Sequence, residues 1–167
     1  VDALDCHGLP GGVVWSVGAR RLSVLCVTGG DNVFRGLVFD GSQDPQNSRM
    51  QVDTVFVTGS GAQRDRIEQS IVRGPTFGDA VSVNNGAGLA GADQDAILIL
   101  DNEITRGRDR GVKVNAAAAT IARSCVHDNE DGGILVNFGG DLSVKDSVVQ
   151  RNQGSKNGLS VGGGAKA

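Results

Sequence analysis

The chain has no tyrosine, one tryptophan, three prolines and three cysteines. With only Trp15 and five phenylalanines, a strong aromatic platform for stacking sugar rings is disfavoured. Phe34 and Phe39 read as core, and Phe77 and Phe138 as turn or corner residues. Scarce proline beside 26 glycines excludes collagen and Pro-rich linkers and fits many tight turns between short strands. No run of about 18 apolar residues occurs, so no membrane span is expected. The formal charge is -3 with both signs interspersed, which gives no basic face and argues against nucleic acid as a partner. Cys6, Cys26 and Cys125 lack metal-ligand spacing. Cys125 stands where the next repeat has Val148 and reads as a buried thiol. Cys6 and Cys26 could bridge near the N-terminus, on spacing alone, and cysteine usage leaves the compartment open.

What is abundant is periodicity. Three stretches repeat one pattern: Asn102–Gly107 with Gly111–Asn115, Cys125–Asn129 with Gly133–Asn137, and Val148–Asn152 with Gly158–Val161. Ile104, Val126 and Val149 mark the same point in each. An earlier copy of the closing strand is Gly78–Asn84, and the longer step from Val81 to Val112 places an inserted loop near 85–93. A second loop falls at 40–51. Repeats of this length with short alternating strands specify a solenoid of β-coils, each burying its apolar face on its neighbours. The fold class is therefore all-β, a single-stranded parallel β-helix of about six coils. Residues 1–167 read as one β-helix domain, expected to be a segment of a longer chain whose flanking parts cap both ends.

Aligning the coils yields columns. The pairs Ile97/Ile99, Ala119/Ile121 and Leu142/Val144 point inward, as do Val112/Val114, Ile134/Val136 and Leu159/Val161. Near the start, Leu22, Val24 and Cys26 alternate, and Val13, Trp15 and Val17 precede them. A turn column reads Gly74, Gly107, Asn129, Asn152, and a strand-end column reads Asn84, Asn115, Asn137, Gly162. Both hold residues that tolerate left-handed backbone. A charged column, Glu68, Asp101, Arg123 and Asp146, reads as structural. His127 aligns with Val72, Thr105 and Gln150, and Lys113 with Ser82, Leu135 and Ser160. Both of those columns are expected to face solvent.

The stretch Cys26–Phe39, with Asn32-Val33-Phe34-Arg35-Gly36-Leu37, and the three Asn…Gly-(Ile/Val/Leu)-x-Val copies resemble the right-handed parallel β-helix proteins of the pectate-lyase-like superfamily. The resemblance covers the chain from about residue 12 and implies a right-handed helix. It also implies a secreted, bacterial-type module, extracellular or at the cell surface, directed at a polysaccharide or cell-surface glycan. Members include lyases, hydrolases and epimerases, and also non-catalytic stalks and adhesins; fold analogy does not choose among them.

A lyase needs a base and cations to stabilise the charge that develops on a uronate. The densest cluster is Arg106–Lys113 with His127 and Asp128. Here Arg110 or Lys113 would be base or charge stabiliser, His127 a proton carrier, and Asp128 or Asp109 a cation ligand. The bland alternative is a solvated turn with ion pairs between adjacent coils. Asp93, Asp95 and Asp101 are the candidate ligands for calcium, without an EF-hand spacing. The paired-aspartate and Gly-His-Gly patterns of related hydrolases are absent. The competing reading for function is a structural stalk or adhesin segment.

Overall fold

Alternating apolar residues need a shared interior, and here strands of three to six residues find it by stacking coil upon coil. The computed structural model describes residues 4–5, 22–41, 53–75, 77–89, 94–154 and 156–167. β1 (Leu4–Asp5) and β2 (Leu22–Ser23) form an antiparallel pair. The first coil then holds β3 (Leu25–Val27), β4 (Val33–Arg35) and β5 (Val38–Asp40). The second holds β6 (Val55–Thr58), β7 (Arg66–Glu68) and β8 (Ile71–Arg73). The third holds β9 (Val81–Asn84), β10 (Ile97–Leu100) and β11 (Glu103–Thr105). The fourth holds β12 (Arg110–Asn115), β13 (Ala118–Ala122) and β14 (Cys125–His127). The fifth holds β15 (Gly132–Asn137), β16 (Asp141–Lys145) and β17 (Val148–Gln150), and β18 (Lys156–Val161) opens a sixth.

Corresponding strands pair in parallel to give three sheets. Sheet I stacks β4, β7, β10, β13 and β16; sheet II stacks β5, β8, β11, β14 and β17; sheet III stacks β3, β6, β9, β12, β15 and β18. The long step in the repeat lies between Asn84 and Ile97, whereas only residues 116–117 connect β12 to β13. The loop at 40–51 falls outside the described residues beyond Gly41.

The tube is filled by aligned aliphatics. Phe39, Val72, Ile104 and Val126 stack along sheet II, and Ile67, Ile99 and Ile121 along sheet I. Val27, Val57, Val83, Val114 and Val136 form a column in sheet III. Each fully buried side chain of this kind contributes roughly 1.5–3 kcal/mol. Phe34 packs against the same core, whereas Phe138 is exposed. Near the start the inward parity differs from the sequence reading. A bend at Val24 separates β2 from β3, so Leu25 and Val27 point inward and Cys26 outward beside Phe56. One residue of slip exchanges the two faces of a strand. Val13, Trp15 and Val17 lie outside the described residues.

The corners use two residue types for two different tasks. Left-handed backbone falls on Gly36, Gln69, Asp101, Arg123 and Asp146 between sheets I and II, and on Arg106, Asp128 and Arg151 between sheets II and III. It falls on Asn85, Ala116, Phe138 and Gly163 where sheet III ends. In no case is it the expected column of Asn and Gly, which stands one residue away. Those asparagines serve through their side chains. The Gly107 N–H donates to Asn129 Oδ1 at 2.7 Å, and the Asn129 N–H to Asn152 Oδ1 at 3.2 Å. A second ladder climbs the other corner. There the N–H groups of Leu37, Ser70, Asn102 and Ser124 donate in turn to Ser70 Oγ, Asn102 Oδ1, Ser124 Oγ and Ser147 Oγ, at 2.9–3.1 Å. The ladders satisfy buried corner N–H groups that no strand can reach. Asn129→Ala strands the Gly107 N–H and removes one of the two donors to Asn152 Oδ1; an unfolding free energy lower by about 1–3 kcal/mol in denaturant titration is expected.

The charged column holds from Asp101 onward, where Arg123 grips Asp101 with two bonds of 2.7 and 2.8 Å. Glu68 is not its member. It aligns with Arg35 and Leu100 and pairs with Arg35 and Arg66. The residue beside Thr105 and His127 is likewise Arg73, not Val72, which is interior.

Candidate functional site

Strand alternation sends Lys113 to the outer face of sheet III, in register with Ser82 and Leu135 as the repeat requires. That face is not open to solvent. Phe56, Ser82 and Leu135 are buried, and Cys26, at the head of the column, is buried and disulfide-bonded. Its expected partner, Cys6, lies outside the described residues. Lys113 therefore turns inward along the face, and its Nζ sits 3.5 Å from Asp79 Oδ2. Arg110 flanks the same carboxylate, with Nη1 at 3.6 Å from Asp79 Oδ1 and Nη2 at 3.3 Å from Asp131 Oδ2.

Asp79 was not visible as a special residue in the sequence. It is fully buried, and neither carboxylate oxygen has a hydrogen-bond partner among the described residues. Burial pushes its pKa up to about 7, and the neighbouring Asp53 charge adds to the rise, while Lys113 and Arg110 oppose it. The Asp79 N–H also donates to Asp53 Oδ1 at 3.0 Å. The signal that could have found it is repetition. Asp53 and Asp79 each stand two residues before an inward valine, Val55 and Val81, that pair with one another. Two carboxylates stacked on adjacent strands repel unless cations join them.

His127 and Asp128 lie elsewhere, on the outer face of sheet II. They line an open depression of about 360 Å³ with Ile71, Arg73, Glu103, Thr105 and Arg106. Hence the four proposed catalytic residues form two separate pairs on two sheets. His127 Nδ1 lies 2.6 Å from Asp128 Oδ2 and Nε2 lies 3.1 Å from Glu103 Oε1. With both ring nitrogens engaged, the imidazole anchors two carboxylates and has no free nitrogen for a substrate proton. Arg151 also grips Asp128 at 2.8 and 3.0 Å. Arg151 first, and then His127, hold the Asp128 carboxyl well below the usual carboxylate range. Asp128 is thus paired with an arginine, whereas Glu103 meets only the His127 ring. Arg106 is different: it is exposed at the rim, and among the described residues it pairs with no carboxylate. It is an available anion-binding group.

Other charges are held between coils. Arg108 pairs with Glu130 at 2.8 Å. Of the calcium candidates, Asp95 accepts from Arg64 at 2.6 Å, Asp101 is held by Arg123, and Asp93 lies outside the described residues. Among the described residues, no three His, Cys, Asp or Glu side chains converge as metal ligands. No helix formed by them is long and apolar enough to cross a membrane. Cys125 is a free thiol, half-buried on the outer face of sheet II rather than in the core. Burial, followed by the Glu103 charge, raises its pKa, so it lacks the thiolate character of a nucleophile.

Three parallel sheets wound coil upon coil define the class as a parallel β-helix. The profile of the right-handed β-helix region family matches residues 24–167, and the chain belongs to that family. No curated protein and no solved structure matches the chain.

Proposed function

We propose that the chain is a secreted, polysaccharide-directed β-helix module, acting outside the cell or at its surface, that binds an acidic glycan on the outer face of sheet II. The observation that carries this reading is Arg106, a guanidinium without a carboxylate partner among the described residues, at the rim of an open depression. Of the acidic groups in the same depression, Asp128 is paired with Arg151 and Glu103 lies against the His127 ring. Arg106 can meet an incoming carboxylate with a planar pair of donors. The partly exposed Arg73, which pairs with Asp40 at 3.3 Å, lines the same depression.

Calorimetric titration with pectate, alginate and neutral glycans, with and without Ca²⁺, tests this reading. Arg106 has a left-handed backbone, so Arg106→Asn removes the charge while keeping a residue that tolerates the conformation. Binding to one acidic glycan is expected, about tenfold weaker in the variant and weakened further by salt. Equal binding of neutral glycans, or indifference to Arg106→Asn, counts against the proposal. Following unsaturated products and new reducing ends in the same samples reports whether binding is coupled to lyase or hydrolase processing.

The competing reading, a stalk or adhesin segment, is favoured by the unbroken corner ladders running from Leu37 to Ser147. A folded chain that binds none of these glycans selects it.

A further inference from the structure

The buried face of sheet III holds charges that ion pairing alone serves badly. The Asp79 and Lys113 side chains are 0% and 18% exposed, and Lys113 Nζ stands 3.5 Å from Asp79 Oδ2. The Arg110 guanidinium stands 3.6 Å from the other oxygen. Both contacts are longer than the about 2.7–2.9 Å of a well-made charged hydrogen bond. The more exposed Arg123–Asp101 pair, by contrast, closes to 2.7 Å. Two cations thus crowd one carboxylate that accepts no hydrogen bond among the described residues. Lys113 shares its outward column with Phe56, Ser82 and Leu135, all buried, so little water reaches the pair. A buried ion left in that state is costly.

We infer that this is a cross-linking site, where the Lys113 amine and the Asp79 carboxyl condense to an amide that ties β12 to the turn leading into β9. Proton transfer from the ammonium to the carboxylate leaves a neutral amine and a neutral acid. The Nζ lone pair then adds to Cγ, the C–N bond forms and one C–O bond breaks. The departing hydroxyl takes a proton from nitrogen and leaves as water, so the step balances without a co-reactant. The neighbours suit it. Burial, and then the Asp53 charge, raises the Asp79 pKa to about 7, which supplies the acid form. Asp53 Oδ1 also fixes the Asp79 backbone by accepting its N–H at 3.0 Å. Arg110 faces Oδ1, where negative charge develops as Nζ adds to the carbon. The product is a neutral amide, and Arg110 keeps Asp131 as its partner. Two cations favour the ionised carboxylate, so the neutral pair is the minor form and closure is slow beside folding. Freshly folded chain therefore carries Asp79 as a titrating acid, and aged chain carries the amide.

The test is intact-mass spectrometry of the chain, freshly refolded and after days at neutral pH, each sample denatured and reduced before measurement. The aged chain is expected to have lost the mass of one water. Its proteolysis should yield one branched peptide joining the segments that hold Asp79 and Lys113. Closure should also raise the melting temperature by roughly 10 °C over the fresh chain, as a cross-link between distant residues does. Lys113→Arg keeps the charge without a primary amine, and it should keep the full mass and the parent's circular dichroism. Asp-Gly pairs also lose water, by closing to a succinimide, and the chain has Asp40-Gly41 and Asp131-Gly132. That loss would survive in Lys113→Arg and map to those residues. A full mass that persists in the aged chain, or a water loss that Lys113→Arg retains, overturns the proposal. If Lys113→Arg does not fold, the peptide map of the parent decides, since an aged chain with only linear Asp79 peptides overturns it as well.

Discussion

Gly107→Ala is expected to destabilise the protein by at least about 3 kcal/mol, more than most single methyl additions. A β-carbon built on Gly107 lies 2.2 Å from the Arg110 carbonyl oxygen and 2.8 Å from its carbon. Both are backbone atoms of the chain turning into β12, so no rotamer change relieves the overlap. The corner would have to widen, and widening it moves Asn129 Oδ1, which accepts from the Gly107 N–H at 2.7 Å. Gly74, one coil earlier, is fixed by the same approach, since its β-carbon would lie 2.3 Å from the Gly107 α-carbon. The comparison variant is Gly36→Asn. Gly36 has a φ of 68° but open space around the added carbon. Its column already holds Gln69, Asp101, Arg123 and Asp146 at positive φ. That change should cost no more than about 1 kcal/mol. Denaturant titration of the two variants checks the contrast, and equal costs would show that corner crowding is not what requires glycine.

That contrast also explains how much was legible in the sequence. The inward columns could be read because Ile, Val and Leu recur at a fixed step and only one face of each strand can enter the tube. Ile104 and Val126 are interior and in register as the repeat requires. Corners were harder, because their periodicity is one residue long and two tasks compete for it. An Asn beside a corner suggests left-handed backbone, yet Asp128 and Arg151 adopt it while Asn129 and Asn152 supply ladder oxygens. The displaced alignment of Val72 has a similar origin: the register step here is 32, from Arg73 to Thr105, and a column read at 33, as from Gly74 to Gly107, still looks plausible. The candidate site divided for another reason. Alternation tells which residues leave the tube but not what covers them, so Lys113 reads as solvated although its column neighbours Ser82 and Leu135 are buried, and the buried Asp79 carries no signal of its own. Arg106 and His127 were named together and do share the depression.

Acidification from about pH 8 to pH 5 should stabilise the chain, against the usual expectation for a protein whose carboxylates are ion-paired. The reason is Asp79. Its pKa in the fold is about 7 against a reference of 3.8, so between those values the folded state holds a proton that the unfolded state has lost. Stability then falls as pH rises, by at most about 1.4 kcal/mol per unit for one such group, and the favourable contribution vanishes as pH passes the folded value. Asp65 acts in the same direction, because burial raises its pKa against the opposing hydrogen bonds from Asn32. The opposite contribution comes from Asp31, Asp101 and Asp128, whose pKa values arginines hold down. Those exposed pairs lose their effect only below the ordinary carboxylate range, and solvent screens them. The melting temperature is therefore expected to rise by roughly 5–10 °C between pH 8 and pH 5. Asp79→Asn should flatten most of this slope and raise stability at pH 8, since it removes a buried charge while Arg110 keeps Asp131 as a partner. Melting curves at constant ionic strength decide the matter. A parent chain that loses stability steadily on acidification, or a variant with the parent's slope, would remove Asp79 as the dominant titrating group and leave its contacts with Lys113 and Arg110 as an ordinary buried ion pair.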